Sequence, residues 1–211
     1  MTQADWQKDL VVLVADKNME HAVRSLLTRP RSLRTRAVTV DSFVHPHHDA
    51  GCRLTAHNFL RPFTNRYAQA LVMFDRVGSG HEPASRNELE RQVESQLSAS
   101  GWGERGAAVV LDPELEAWVW TDSPHVAAIL GWQQRDPNLR TWMVQKGFLT
   151  ESETKPIQPK EAMETALRDA GKPRSSSLYA QLAAQVSLER CSDPAFLKFK
   201  GVLQSWFPPN T

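Results

Sequence analysis

The chain has 211 residues and a formal net charge of +1 at pH 7, from 25 lysines and arginines against 24 aspartates and glutamates. This balance excludes a global basic field, so any binding to nucleic acid must come from a local patch. The two cysteines, Cys52 and Cys191, have no CxxC partner, which argues against a structural zinc site and favours reduced thiols. Since no apolar run is long enough for a membrane span and the first residues lack a signal-peptide pattern, we expect a soluble cytoplasmic protein without membrane contact.

The first predicted unit is a strand, an acidic turn and a helix. Residues 10–15 (LVVLVA) form a continuous apolar run, which is typical of a strand buried in a parallel sheet, and Asp16 follows directly. Apolar residues then recur at helical spacing, which predicts an amphipathic helix that ends near residues 28–30. The arginine cluster at residues 29–36 is either a solvated loop or a surface that steers a phosphate backbone. A second strand is predicted at about 36 to 41.

A histidine-rich segment follows the second predicted strand. Residues 45–49 read HPHHD, so three histidines and Asp49 are close together in sequence. A metal role is the less favoured interpretation, because no helix or strand phase would hold these side chains on one side and Pro46 would spread them further. The segment is therefore predicted to be a polar loop over the site, followed by a helix from Leu54 to Tyr67.

The stretch at residues 68–80 (AQALVMFDRVGSG) is the centre of the predicted fold. Its apolar run predicts a third buried strand that ends on Asp75, and Gly78-Ser79-Gly80 keeps the following loop small and mobile. Ligands of open α/β sheets bind beyond the carboxyl ends of the strands. Asp75 is therefore either a residue for metal or phosphate chemistry or an ordinary turn residue after a strand.

The later elements are predicted from capping patterns and apolar spacing. Ser85 with Glu88 three residues later forms a capping box for the next helix, and residues 107–111 predict a fourth buried strand. Asp112-Pro113 reads as an N-cap before a proline at the first helical position, so a helix is expected directly after that strand. The same device and the apolar spacing predict further helices at about 124 to 130, 137 to 146, 159 to 170, 177 to 190 and 194 to 206.

These elements predict an α/β fold with a mainly parallel four-stranded sheet flanked by helices and a helical C-terminal part. The helices after residue 154 have apolar faces too small to build a core alone. Residues 1–154 are therefore expected to form the α/β core, and residues 155–211 to form helices packed on it in one compact unit.

Carboxylates from three parts of the chain are expected at the carboxyl edge of this sheet. Asp16 and Asp75 end two strands, and Glu114 and Glu116 follow another. Carboxylates that repel one another are stabilised by a hard cation such as Mg²⁺, which can activate water in phosphodiester cleavage. Each also has a structural interpretation, Asp16 as a turn former, Glu20 as an ion-pair residue on its helix and Glu114 as a helix-dipole carboxylate.

The order of these motifs resembles the TOPRIM-like proteins, and within them the family catalogued as domain of unknown function 4276. The similar segments are VLVADKNMEHAVRSLL, YAQALVMFDRVGSG, VVLDPELEAWVWTD, KPIQPKEAMETAL and CSDPAFLKFKGVLQSW. The resemblance implies a Rossmann-like TOPRIM fold and, as in related nucleases and topoisomerases, magnesium-dependent breaking of nucleic-acid strands. It also implies a component of a bacterial anti-phage defence system, with DNA or RNA and other defence proteins as partners.

The chain departs from the TOPRIM pattern at two positions. Asp16 stands where these proteins usually carry glutamate, and the usual Asp-x-Asp reads Asp75-Arg76-Val77, without the second carboxylate. Glu116, or less favourably Glu82, would replace the missing ligand. The alternative is a catalytically degenerate subunit that keeps the fold as a scaffold for a partner in a defence complex.

The hypothesis for the site assigns three kinds of residue. Asp75, Glu116 and Asp16 are the predicted ligands for Mg²⁺ or Mn²⁺. The candidate catalytic residues are Asp16, Glu116 and Glu20, and the candidate cofactor-binding loop, with room for a phosphate, is Gly78, Ser79 and Gly80. The sequence leaves the oligomeric state open.

Overall fold

The structure is a computed structural model that describes residues 6–121, 123–189 and 191–209. Four parallel strands form one sheet in the order β2-β1-β3-β4, and their bounds are β1 (Lys8–Val14), β2 (Val40–Val44), β3 (Tyr67–Asp75) and β4 (Gly106–Leu111). The predicted α/β class, with an all-parallel four-stranded sheet flanked by helices and a helical C-terminal part, is confirmed, and it is consistent with a Rossmann-like fold. Residues 1–5, for which the sequence predicts no signal-peptide pattern, lie outside the described ranges.

The central strands are the two most apolar runs of the chain. Residues 10–14 of β1 and 70–74 of β3 are all fully buried, because a strand in the middle of a parallel sheet is covered by helices on both faces. Val14 lies opposite Val44 of β2 and Met73 of β3, and Asp75 lies opposite Leu111 of β4. The register therefore brings the carboxyl ends of all four strands to the same edge.

The connections and the C-terminal part are helical. The helices are α1 (Lys17–Leu27), α2 (Pro30–Leu33), α3 (His48–Leu60), α4 (Arg86–Leu97), α5 (Pro124–Leu130), α6 (Leu139–Gln145), α7 (Pro159–Asp169), α8 (Ser176–Gln185) and α9 (Pro194–Trp206). Short 3₁₀ turns lie at Arg61–Phe63, Gly103–Arg105 and Leu115–Trp118, and a π turn lies at Ser98–Trp102. The predicted capping box of Ser85 and Glu88 is confirmed at the start of α4, where each side chain accepts a backbone N–H bond of the other.

Three predicted boundaries in the first half of the chain are wrong. β2 begins at Val40 because Arg36 and Thr39 instead donate to the carboxylate of Asp9, which holds the segment before the strand. The expected helix from Leu54 to Tyr67 instead begins at His48 and ends at Leu60, where the chain continues into a 3₁₀ turn that contains Pro62.

The prediction of a helix that starts at Asp112-Pro113 is also wrong. The chain after β4 forms only the 3₁₀ turn Leu115–Trp118. Asp112 does not cap a helix, because its carboxylate accepts a hydrogen bond of 2.7 Å from Arg76 Nε. The backbone N–H groups of Arg76 and Val77 donate to Leu111 and Pro113, which keeps this segment extended beside the loop after β3.

Two predicted helix ends in the second half also differ. Asn138, and not Asp136, caps α6, since its side chain accepts the N–H of Thr141 at 2.9 Å. The helix predicted to reach residue 190 ends at Gln185, where Arg29 Nη1 donates to the carbonyls of Ala183 and Val186. Residue 190 itself lies outside the described residues.

The C-terminal helices contact the sheet domain along two surfaces. α8 packs on α1, and Ser25 Oγ donates to the carbonyl of Ala180 at 2.8 Å. α9 packs near β4 and buries Phe196, Phe199 and Leu203, all at most 2 % exposed. Apolar side chains from both parts of the chain therefore belong to one continuous core.

The outer edge of β4 is covered by two carboxylates of α4. Glu94 Oε1 accepts the N–H of Ala108 at 3.1 Å, and Glu90 Oε1 accepts the N–H of Val110 at 3.0 Å. Lys198 of α9 lies 2.7 Å from Glu94 and 3.1 Å from Glu90, so the buried negative charge is paired. The N–H groups of Ala108 and Val110 therefore have partners although no strand of the described residues lies beside them.

Within the described part of the chain, every helix is too short or too polar to cross a lipid bilayer.

Candidate functional site at the carboxyl edge of the sheet

Asp75 ends β3 and carries the most unusual carboxylate of this edge. Its Oδ1 atom is inaccessible to solvent and accepts no hydrogen bond from the described residues, although part of the residue is accessible. Burial raises the pKa of Asp75 well above its usual range, and the charges of Asp49, Glu116, Asp16 and Glu114 raise it further. Five carboxylates from four segments of the chain therefore act on one another at the edge of the sheet.

Asp49 is the site residue that the sequence analysis missed. The predicted polar loop at residues 45–49 is wrong in its second part: residues 45–47 form a turn, whereas His48 and Asp49 belong to the first turn of α3. Asp49 Oδ1 accepts the N–H of Asp75 at 2.8 Å, and His48 Nδ1 lies 3.1 Å from the carbonyl oxygen of Ala15. Burial raises the pKa of Asp49, and the charge of Asp16 adds to the increase. Cys52 of the same helix is a fully buried thiol, and burial with the charges of Asp49, Asp16 and Asp75 raises its pKa.

One signal could have indicated an earlier start for this helix. The apolar residues Cys52, Ala56 and Leu60 recur every four residues, so the helical phase extends back at least to Cys52, and all three are fully buried in the structure. Pro46 lies two residues before the first residue of α3, so it does not interrupt the helix.

His45 supports this segment and is not a free ligand. The N–H of His47 donates to its Nδ1 at 3.1 Å, so Nε2 carries the proton and donates to Thr55 Oγ1 at 3.1 Å. Burial lowers the pKa of His45, and the charges of His47 and His48 lower it further, which favours the neutral ring. Both ring nitrogens are therefore used inside the fold.

We expect Gly51→Ala to destabilise the protein because His45 occupies the space beside Gly51. A Cβ atom there would lie 2.1 Å from His45 Nδ1. Overpacking of this kind costs about 1–3 kcal/mol. The matched control is Gly201→Ala in α9, where a Cβ atom meets nothing within 4 Å and the better helix former should stabilise the chain by up to about 1 kcal/mol. Urea unfolding measures both, and a stabilised Gly51→Ala variant would contradict the packing.

Asp16 reaches the site, whereas Glu20 does not. Asp16 Oδ1 caps α1 by accepting the N–H of Met19 at 2.8 Å, and its charge still raises the pKa of Asp75. Glu20 accepts bonds from Lys17 Nζ at 2.7 Å and Ser42 Oγ at 2.8 Å, so each of its carboxylate oxygens already has a partner. Of these two predicted residues, only Asp16 is among the carboxylates with the largest effects on the pKa of Asp75.

Glu116 is buried and bound to the C-terminal part of the chain. It is 2 % exposed, Arg174 Nη2 donates to its Oε1 at 2.9 Å, and the hydroxyl of Tyr179 donates to the same oxygen. Burial and the charge of Glu116 raise the pKa of Tyr179. Glu114 accepts the N–H of Lys160 at 3.0 Å, and burial, followed by the charge of Glu116, raises its pKa. Arg174 thus neutralises part of the charge that the sequence analysis assigned to a metal site.

The described carboxylates at this edge of the sheet do not form a metal site with three protein ligands. Across residues 6–121, 123–189 and 191–209, no three His, Cys, Asp or Glu side chains are arranged so that they could hold one ion. Mg²⁺ is commonly bound by only one or two carboxylates, with waters and substrate phosphates as its other ligands. The unpartnered Oδ1 of Asp75 beside Asp49 fits this smaller donor set, whereas Glu116 already has two partners.

The loop at Gly78-Ser79-Gly80 binds a carboxylate of its own chain. Gly78 and Gly80 have φ angles of 91° and 72°, which glycine adopts without strain. Their N–H groups both donate to Glu82 Oε1, at 3.1 and 3.2 Å. Ser79 is fully buried, and its carbonyl accepts a bond of 2.7 Å from Arg53 Nε. Glu82 therefore binds the loop and does not replace a metal ligand beside Asp75.

No protein-family model, curated protein or solved structure matches this chain. The TOPRIM-like resemblance therefore stays a prediction.

Proposed function

We propose that this chain binds a divalent cation at Asp75 and acts on phosphodiester bonds. The observation that carries the proposal is the buried, unpartnered Oδ1 of Asp75 within a group of five carboxylates. An ionised carboxylate without a partner is costly in a buried site, and neighbouring negative charges increase that cost. A cation with oxygen ligands, Mg²⁺ or Mn²⁺, removes both costs at once.

In this proposal each residue of the cluster has a separate role. Asp75 is the principal ligand, and Asp49 fixes the backbone of Asp75 through their hydrogen bond of 2.8 Å and is the second ligand. Asp16 adds negative charge that attracts the cation while it caps α1. The raised pKa of Glu114 suits this side chain to hold a proton near the site. A bound cation would supply activation of water and stabilisation of the leaving oxygen.

The resemblance to TOPRIM-like proteins sets the wider proposal. It makes DNA or RNA the expected substrate, and a bacterial anti-phage defence system, with other defence proteins as partners, the expected setting.

A second candidate function is supported by a different observation. Glu116, the predicted substitute for the missing TOPRIM acid, is held by Arg174 and Tyr179, and Val77 at the position of that acid is 47 % exposed. An exposed apolar residue in place of an acid, together with a glutamate that already has two partners, is what a catalytically degenerate scaffold subunit would have. In that case the carboxyl edge of the sheet serves as a surface for a partner protein.

Calorimetric titration with Mn²⁺ tests the first proposal. We expect the wild-type chain to bind the ion and Asp75→Asn to lose binding, because the substitution removes the unpartnered oxygen's charge. The matched control is Asp112→Asn, which changes an accessible aspartate after β4 that is paired with Arg76. Binding should persist in this control. A wild-type chain without binding, or equal binding by Asp75→Asn, would contradict the cation site.

Hydrolysis of DNA and RNA in the presence of Mn²⁺ then separates the two candidate functions. We expect cleavage of one substrate by the wild-type chain and by Asp112→Asn, and none by Asp75→Asn. A chain that binds Mn²⁺ but cleaves neither nucleic acid would favour the scaffold function.

A further inference from the structure

The loop after β3 offers two backbone donors to one anion. The N–H groups of Gly78 and Gly80 both point at Glu82 Oε1, at 3.1 and 3.2 Å. Backbone N–H groups that converge on one anion resemble an anion-binding nest, although here the N–H of Ser79 between them donates to the carbonyl of Arg76. In this chain the anion is the carboxylate of Glu82, which belongs to the chain itself and lies on the surface.

Two arginines place positive charge around the same loop. Arg53 donates to the carbonyl of Ser79 at 2.7 Å, and its Nη2 would lie 3.7 Å from a Cβ atom at Gly80. Arg76 Nη1 donates to the backbone carbonyl of Glu82 at 2.6 Å. The loop therefore combines two N–H donors with two guanidinium groups, which is more than a single surface carboxylate requires.

The loop also adjoins the carboxylates of the candidate cation site. A Cβ atom at Gly78 would lie 3.2 Å from Asp49 Oδ2, so the backbone at Gly78 passes directly beside Asp49. An anion in the loop would thus lie next to a cation held by Asp75 and Asp49. This is the arrangement that a phosphate needs when a divalent cation shares its oxygens.

From these contacts we infer that the Gly78–Gly80 loop is the binding site for a substrate phosphate, and that Glu82 occupies it as an internal competitor until the phosphate displaces it. The word substrate rests on the proposed function, whereas the anion site itself needs no cation. Displacement is easy because the Glu82 side chain is exposed and returns to solvent. A phosphate brings three acceptor oxygens and more negative charge than a carboxylate, so it can use both N–H groups and the charge of Arg53, whereas Arg76 is already paired with Asp112.

Competition between Glu82 and phosphate predicts how the removal of Glu82 changes the apparent affinity for phosphate. A ligand whose competent state is only partly populated binds with an apparent affinity reduced by that fraction. If Glu82 fills the loop for about nine-tenths of the time, its removal should tighten phosphate binding about tenfold.

The experiment is a calorimetric titration of the full chain with inorganic phosphate in the presence of EDTA. We expect Glu82→Ala to bind phosphate about tenfold more tightly than wild type. The matched control is Glu88→Ala. Glu88 lies six residues after Glu82, and its exposed carboxylate accepts two bonds from Ser85 instead of binding the loop. This control should bind like wild type. Glu82→Gln keeps the shape and loses the charge, so it should also bind more tightly if the alanine variant distorts the loop. Failure of both Glu82 variants to tighten binding would overturn the inference.

Two further measurements separate this inference from the proposed function. Asp75→Asn combined with Glu82→Ala should keep the tighter phosphate binding even if the chain binds no Mn²⁺, since the loop donors do not involve Asp75.

A short oligonucleotide with a 5′-phosphate, compared with the same oligonucleotide without it, identifies the source of the phosphate. Tighter binding of only the phosphorylated strand by Glu82→Ala assigns a terminal phosphate, and tighter binding of both strands assigns an internal phosphodiester. If neither strand binds Glu82→Ala more tightly than wild type, the loop does not hold a substrate phosphate.

Discussion

A chain that ends at Thr154 should not unfold cooperatively. This shortened chain lacks α7, α8 and α9. The side of α1 that packs on α8 would be exposed, and Arg29 would lose its carbonyl partners at Ala183 and Val186. The shortening would also remove Phe199 and Leu203 from the common core. The loss of several buried apolar side chains, each worth about 1.5–3 kcal/mol, exceeds the stability of an ordinary domain of about 5–15 kcal/mol.

Calorimetry and near-ultraviolet circular dichroism measure this outcome. The shortened chain should show no sharp heat-absorption peak and weak near-ultraviolet signals while it keeps far-ultraviolet signals of secondary structure. The control is a chain that ends at Pro209, which keeps all described elements and should unfold like the full chain. A chain ending at Thr154 that unfolds as cooperatively as the full chain would mean that residues 155–211 form a separate domain.

Asp75→Asn should make the protein more stable at neutral pH. In the folded chain burial and the neighbouring carboxylates raise the pKa of Asp75, so the unfolded chain loses this proton at a lower pH than the folded chain. The free energy of unfolding of the wild type therefore falls as pH rises from about 4 to the pKa of the folded state. Asparagine has no such proton and can donate to a neighbouring carboxylate, so the gain should reach about 1–3 kcal/mol at pH 7.

Thermal unfolding at pH 3 and pH 7 tests this sign. The variant should melt about 2–4 °C higher for each kcal/mol gained at pH 7, and the difference should vanish at pH 3, where aspartate is protonated in both states. Asp112→Asn is the control, because Asp112 is accessible and paired with Arg76, and its substitution should bring no gain. An Asp75→Asn variant that is less stable at pH 7 would show that Oδ1 has a favourable partner after all.

Strands β1, β3 and β4 were predictable from local sequence because they are buried on both faces, whereas the half-buried β2 was misplaced. A continuous apolar run such as residues 70–74 has few other stable environments, and the strand β3 extends to Asp75 as the pattern predicts. The start of α4 was predictable for a similar reason, since the reciprocal bonds of Ser85 and Glu88 involve only residues three apart.

Where partners are distant in sequence, the prediction failed. Asp112 resembles a helix cap in its local sequence, but Arg76, 36 residues away, binds its carboxylate. Val186 would have continued α8 by its apolar spacing, but Arg29, 157 residues away, donates to its carbonyl. Tertiary contacts of this kind override local preference, and no pattern within a few residues reveals them.

The same distinction applies to the site. Asp16, Asp75 and Glu114 lie at or just after strand ends, so strand polarity alone predicts their edge of the sheet, and the charges of Asp16 and Glu114 do act on Asp75. Sequence position could not indicate that Glu116 is paired with Arg174 and accepts a hydrogen bond from Tyr179, which lie 58 and 63 residues further along the chain. Nor could it indicate that Asp49 would contact Asp75, since that contact depends on where α3 begins.

Glu90 and Glu94 of α4 bind the outer edge of β4, and this limits where another strand can be added to the sheet. A strand from another molecule that approached β4 would meet two N–H groups already bound by these side chains, and it would have to separate both carboxylates from Lys198 to reach them. The exchange of those bonds for new strand bonds brings no net gain. Copies of this chain that associate by strand addition should therefore join through β2, the opposite edge, and each copy can extend the sheet in one direction only.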